Sequence, residues 1–208
     1  MANLAPLTRR AYRKLSMQAR AAASLAGANH AEADAAASRL TIDALNTWGE
    51  FVRAYLVCAL EGGRTLGGNR VRTTFPKGTT LEAALRAHPK LLKRLPGARL
   101  TRRDEPTWFS KAVILDVFSA VGVTTLSQVR AALSLPSRSI DDLPTLRNFY
   151  AHRNEETADK ARRLARRYGL AAPRHPTELV RIRLLRRSAT LLEDWLFELA
   201  EIVDTMSR

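Results

Sequence analysis

The sequence predicts an all-α fold, a helical bundle of four to five main helices. Three observations lead there. Apolar residues recur at helical spacing over two long stretches, 32–61 and 177–206. Gly and Pro pairs (Gly62-Gly63, Pro96-Gly97, Pro136-Ser137) punctuate the chain at helix-length intervals. Only the stretch 64–79, with Gly67-Gly68-Asn69 and Pro76-Lys77-Gly78, reads as turns, and it leaves room for one short hairpin through Arg70-Val71-Arg72.

In chain order, residues 8–25 predict a short basic helix ended by Gly27. The first 31 residues hold five basic residues and no acid. That composition is shared with transit peptides, and we read it as a basic N-terminal arm, residues 1–31, preceding a helical domain over 32–208. In the helix over 32–61, Ile42, Leu45, Trp48, Val52, Tyr55, Leu56 and Ala59 form the core stripe. Asn46, Glu50 and Arg53 form a separate polar stripe, with Glu50 and Arg53 near enough to pair. Thr80 is placed to cap a helix reaching about Leu95. An apolar helix follows over 106–121, with Pro106 in its first turn, and a short one over 125–134. Asp141 or Asp142 would cap the next helix, which runs to Tyr168 with Pro144 in its first turn. The last helix, 177–206, buries Leu185, Leu192, Trp195, Leu199, Ile202 and Met206. Its basic start (Arg181, Arg183, Arg186, Arg187) and acidic end oppose the helix dipole, which suggests that the charge serves binding.

The formal net charge is +14 and the pI about 11.1 on 208 residues. That balance points to a polyanionic partner. The densest block is 64–103, a basic insertion with eleven basic residues and one acid, Glu82. It is the region best suited to follow a phosphate backbone, with Arg70, Arg72, Lys77, Arg102 and Arg103 as contacts. Arg162, Arg163 and Arg166 form a second basic group. Cys58 is the only cysteine, set among apolar residues, so it reads as a buried thiol in a reducing, cytoplasmic compartment. No apolar run is long enough for a membrane span, and no membrane partner is expected.

Chemistry concentrates in one stretch, Leu143 to Glu156. Arg147, Asn148 and His152 lie there in the order R-N-x-x-x-H, flanked by Leu143, Leu146, Phe149 and Tyr150. His30, His88 and His175 stand at helix breaks. No two histidines have ligand spacing, so neither metal nor cofactor is expected. An imidazole, a guanidinium and an amide suffice for RNA cleavage. A base takes the 2′-hydroxyl proton, the oxygen attacks the adjacent phosphorus, and fixed cations meet the charge that builds on the phosphoryl oxygens. We read Arg147 and His152 as catalytic, with Asn148 beside them. Glu50, Asn46 and Tyr150 are lower-order candidates for support. Arg147 and His152 are five residues apart, about 140° around an ideal helix. Two copies of the motif facing across a twofold axis would bring them together more easily than one.

The segment Leu146-Arg147-Asn148-Phe149-Tyr150-Ala151-His152-Arg153 resembles the signature of the HEPN superfamily: Arg, a polar residue, and His a few positions on. The resemblance, over roughly 32–206, implies a helical bundle that dimerises with its motifs at the interface. It also implies metal-independent endoribonuclease activity of the kind found in toxins and phage-defence proteins, with a cognate antitoxin or regulatory protein as a further partner. It does not account for the basic block or the N-terminal segment. The competing expectation is a non-catalytic bundle that binds nucleic acid or an acidic protein through charge alone.

Overall fold

A computed structural model describes residues 2–94, 99–171, 173–183 and 188–208. Among these the chain is all-helical, and the only β pairing is three isolated bridges. The helices are α1 (Leu4–Ala23), α2 (His30–Leu60), α3 (Leu81–Arg86), α4 (Lys111–Ala120), α5 (Leu126–Leu133), α6 (Ser139–His152), α7 (Glu155–Arg163), α8 (Pro176–Arg181) and α9 (Leu191–Ser207). Short 3-10 turns cover Ser24–Ala26, Pro89–Leu91 and Leu164–Tyr168. The chain divides into two compact units, each assembled from separated segments. The first comprises Met1–Tyr12, Trp48–Pro136 and Glu201–Arg208, and the second Arg13–Thr47 and Ser137–Ala200.

In the first unit, Trp48, Val52, Tyr55, Leu56 and Ala59 of α2 are buried, as are Ile114, Val117 and Phe118 of α4 and Val129 and Leu133 of α5. The Tyr55 hydroxyl meets Thr125 Oγ1 at 2.8 Å, tying α2 to the start of α5. The stretch 64–79 forms no hairpin. A tight turn closes when Thr65 N donates to Asn69 O at 2.9 Å, giving a single bridge between Arg64 and Arg70. The chain's last residues seat on this turn: Leu66 N donates to Ser207 O at 2.6 Å. A Cβ on Gly67 would lie 2.4 Å from the carbonyl oxygen of Arg208, so only glycine permits that approach.

Several predicted boundaries move. Thr80 does cap a helix, accepting from Ala83 N at 3.1 Å, but α3 stops at Arg86 and the chain continues as a 3-10 turn. Leu95, Pro96 and Gly97 lie outside the described residues. The apolar helix begins at Lys111, with Ser110 as its cap, so Pro106 precedes it; Gly122 at φ 67° turns the chain after it. The segment read as a basic arm is packed helix: Leu4, Leu15, Ala19 and Ala22 of α1 are buried while its arginines face outward.

The stretch 177–206 is two helices. α9 opens on a capping box in which Thr190 N donates to Glu193 Oε2 at 3.2 Å and Glu193 N to Thr190 Oγ1 at 3.3 Å. Glu193 and Asp194 thus occupy the first turn of α9, and Arg181 the last turn of α8. Both placements suit the helix dipole, which removes the predicted conflict. Arg181 is also no part of a free basic face, since its guanidinium donates to the carbonyls of Leu25 and Ala28. Leu185, Arg186 and Arg187 lie outside the described residues. Leu192, Trp195, Leu199, Ile202 and Met206 are buried as the spacing predicts.

Candidate functional site

The motif lies in the second unit, at the C-terminal end of α6 and not in its first turns. The helix starts at Ser139, takes Asp141 and Asp142 into its first turn, and ends at His152. It stops because Arg153 adopts the left-handed conformation, φ 47° and ψ 36°. Among the described residues, no other non-glycine has positive φ. Asn154 then caps α7, accepting from Thr157 N at 2.9 Å. The motif therefore lies away from the N-terminal N–H groups of its own helix.

Helical geometry sorts the motif. With Arg147 as origin, Ala151, Asn148 and His152 follow at about 40°, 100° and 140° around α6. Arg147 is half-buried and the other three are exposed. Leu143, Leu146, Phe149 and Tyr150 fill the remaining arc and are all buried. So the two predicted catalytic side chains stand at the rims of one exposed strip, with the small Ala151 between them. Arg147 reaches Asn148 Oδ1 at 3.5 Å. His152 has no hydrogen-bonded partner among the described residues.

Arg147 differs from other arginines around it. Arg153 donates to Asp34 Oδ2 at 2.7 Å. Arg167 binds the fully buried Asp142. Arg162, predicted to contact RNA, is instead held by Glu155 and Asp159, and these hydrogen bonds raise its already high pKa. Among the described residues, Arg147 has no carboxylate partner. Arg163 and Arg166 are exposed, without acidic partners among the described residues.

Behind the strip lies a cluster that sequence reasoning missed. Asp34 of α2 accepts from Thr177 Oγ1 at 2.6 Å as well as from Arg153. Its burial opposes ionisation, but the hydrogen bonds from Thr177 and Arg153 outweigh that and lower its pKa. Tyr150, predicted to support catalysis, faces inward: its hydroxyl meets Thr177 Oγ1 at 3.2 Å, and burial pushes its pKa up. His175 caps α8, with Nδ1 accepting from Thr177 N at 3.2 Å. The His175 ring packs edge-on against Phe149 at 5.4 Å and His30 at 4.8 Å. The only sequence signal was His175 directly before Pro176, an arrangement that suits a helix start.

The remaining candidates are divided between the units. Asn46 is exposed in the second; Glu50 is exposed in the first. Arg53 pairs with Glu105, not Glu50, with both carboxylate oxygens at 3.0 Å from its Nε. Glu105 is buried and also accepts from Trp108 Nε1 at 3.0 Å. It takes up Arg102 as well, at 3.5 Å, while Asp104 holds Arg94 at 2.8 Å. These two acids stand just after the basic block and neutralise part of it. Arg70, Arg72, Lys77 and Arg103 remain exposed, without acidic partners among the described residues. Cys58 is buried, and burial raises its pKa. Among the described residues, no group of three or more His, Cys, Asp or Glu could hold a metal ion, and no helix is long and apolar enough to cross a membrane.

No family model, curated protein or solved structure matches this chain.

Proposed function

We propose that this protein is an endoribonuclease that works without metal, and that the exposed strip of α6 is its active site. The observation that carries the proposal is the state of Arg147. Several neighbouring arginines are committed to carboxylates; among the described residues this one has no carboxylate partner, and it lies on a strip shared with an exposed imidazole and an amide. A guanidinium with unspent donors suits the non-bridging oxygens of a phosphodiester. His152 takes the 2′-hydroxyl proton or protonates the departing 5′-oxygen. The O2′–P bond forms, the P–O5′ bond breaks, and a 2′,3′-cyclic phosphate remains. Asn148 adds one donor. The resemblance of residues 146–153 to the HEPN signature supports the same roles.

One copy of the strip supplies one imidazole, and its guanidinium stands about 140° away. A homodimer that faces two strips across a twofold axis makes a complete site from two halves. The exposed cations of the basic insertion bind the RNA backbone. A toxin or phage-defence effector, held in check by a partner protein, is the role this chemistry fits.

The test is cleavage of RNA in EDTA by wild type and His152→Ala. Wild type produces 2′,3′-cyclic phosphate ends and the variant does not. RNA left intact by wild type, or cut equally by both, rejects the proposal. A second reading, binding without turnover, draws on Arg70, Arg72, Lys77 and Arg103, exposed and unpaired in the first unit. It predicts salt-sensitive binding of RNA and DNA alike, with no cleavage.

A further inference from the structure

The cluster behind α6 holds an imidazole whose role the motif does not assign. His175 Nδ1 accepts a backbone N–H from Thr177 at 3.2 Å. That bond requires an unprotonated Nδ1, so the ring is neutral and its proton sits on Nε2. Such a ring is a hydrogen-bond donor that carries no charge. It is a poor acid, because a second proton would have to enter Nδ1 against the Thr177 N–H. Burial, partly offset by the nearby Asp34 charge, lowers its pKa in the same sense.

The ring is held in place from several directions. Phe149 and His30 pack on it edge-to-face. The helix it caps is fixed through Thr177, which donates to Asp34 at 2.6 Å and takes the Tyr150 hydroxyl at 3.2 Å. Asp34 also grips Arg153, the residue that ends α6 right after His152. Phe149 lies one turn before His152 and about 60° from it around the helix. The ring therefore stands against α6 beside the His152 rim of the strip, and it is only half-buried.

We propose that His175 is a further member of this site, giving its Nε2–H to a phosphoryl oxygen of the RNA as charge builds there. This rests on the ribonuclease reading. A neutral, fixed donor beside the reacting phosphorus stabilises the transition state without giving up a proton. His152 keeps the proton transfers, and no proton leaves His175 during the reaction.

The experiment compares wild type, His175→Ala, His175→Gln and His152→Ala on one RNA oligonucleotide in EDTA, with melting temperatures measured alongside. Expected for His175→Ala is a loss of about 100-fold in kcat, the scale of one lost transition-state donor, with KM kept. His175→Gln, whose amide can donate from nearly the same point, regains much of that loss. Cleavage by His175→Ala at the wild-type rate overturns the inference while leaving the ribonuclease reading intact. So does equal loss in the Ala and Gln variants at unchanged melting temperature, which would mean shape and not donation. A wild type that leaves RNA uncut removes the ribonuclease reading and this inference with it.

Discussion

The residue that organises the candidate site is Asp34, a carboxylate with no place in the motif. Its two oxygens are spent on Thr177 and Arg153, which lie 143 and 119 positions away in sequence. Composition and spacing carry no trace of such a pair, which is why the cluster escaped prediction. Arg147, Asn148 and His152 were legible because helical spacing places them on one strip. Asp34 and His175 both leave a pH signature. The Asp34 carboxyl titrates below its usual 3.8 in the fold, so its stabilisation is complete above that value and fades as pH falls through the lowered pKa. His175 titrates below its usual 6.5, so the unfolded chain binds the proton first and stability declines as pH drops beneath 6.5. Denaturant midpoints measured from pH 5 to 8 should rise up to that value in wild type. In His175→Gln that part of the slope should flatten.

At the scale of elements, the core was legible, and so were the breaks at glycines such as Gly62 after α2 and Gly122 after α4. Six of the seven predicted stripe positions on α2 (Leu45, Trp48, Val52, Tyr55, Leu56 and Ala59) are buried and Ile42 is half-buried, because a 3.6-residue period leaves an apolar stripe little else to do. Other breaks were missed for a physical reason. α6 ends at Arg153, where no glycine or proline announces a turn; the arginine takes the left-handed conformation while its side chain pairs with Asp34. The caps that follow were written in the sequence: Asn154 before Glu155-Glu156, and Thr190 three residues ahead of Glu193. Both lost out to the simpler reading of one continuous helix. Thr190→Ala removes the reciprocal cap of α9 and should cost about 1 kcal/mol. That corresponds to a fall of roughly 2–4 °C in melting temperature. Calorimetry on the variant checks it, and an unchanged melting temperature would mean that the capping box contributes little.

For the whole molecule, the charge that dominates the sequence resolves into committed and free cations. Arg53, Arg94 and Arg102 are tied to the buried acids Asp104 and Glu105, and Arg162 and Arg167 are tied near the motif. The sequence shows the total and not this division, because carboxylate partners come from other elements. A basic arm and one helical domain were the expectation; the chain divides into two compact units, with Met1–Tyr12 in the first and Arg13–Thr47 in the second. A composite site across a dimer makes its own prediction. Neither Arg147→Ala nor His152→Ala should cleave RNA alone. Mixed and allowed to exchange chains, they should recover about a quarter of wild-type activity, because half the dimers are mixed and each mixed dimer keeps one intact site of two. Recovery would fail if each chain completed its own site.

The central claim, that the α6 strip cleaves RNA through a 2′-hydroxyl, is tested most directly with a DNA oligonucleotide library carrying one ribonucleotide at varied positions and sequences. Incubated in EDTA with wild type or His152→Ala, the library should be cut only after the ribonucleotide, only by wild type, leaving a 2′,3′-cyclic phosphate. Cleavage at deoxynucleotides, or equal cleavage by the His152 variant, would contradict the account.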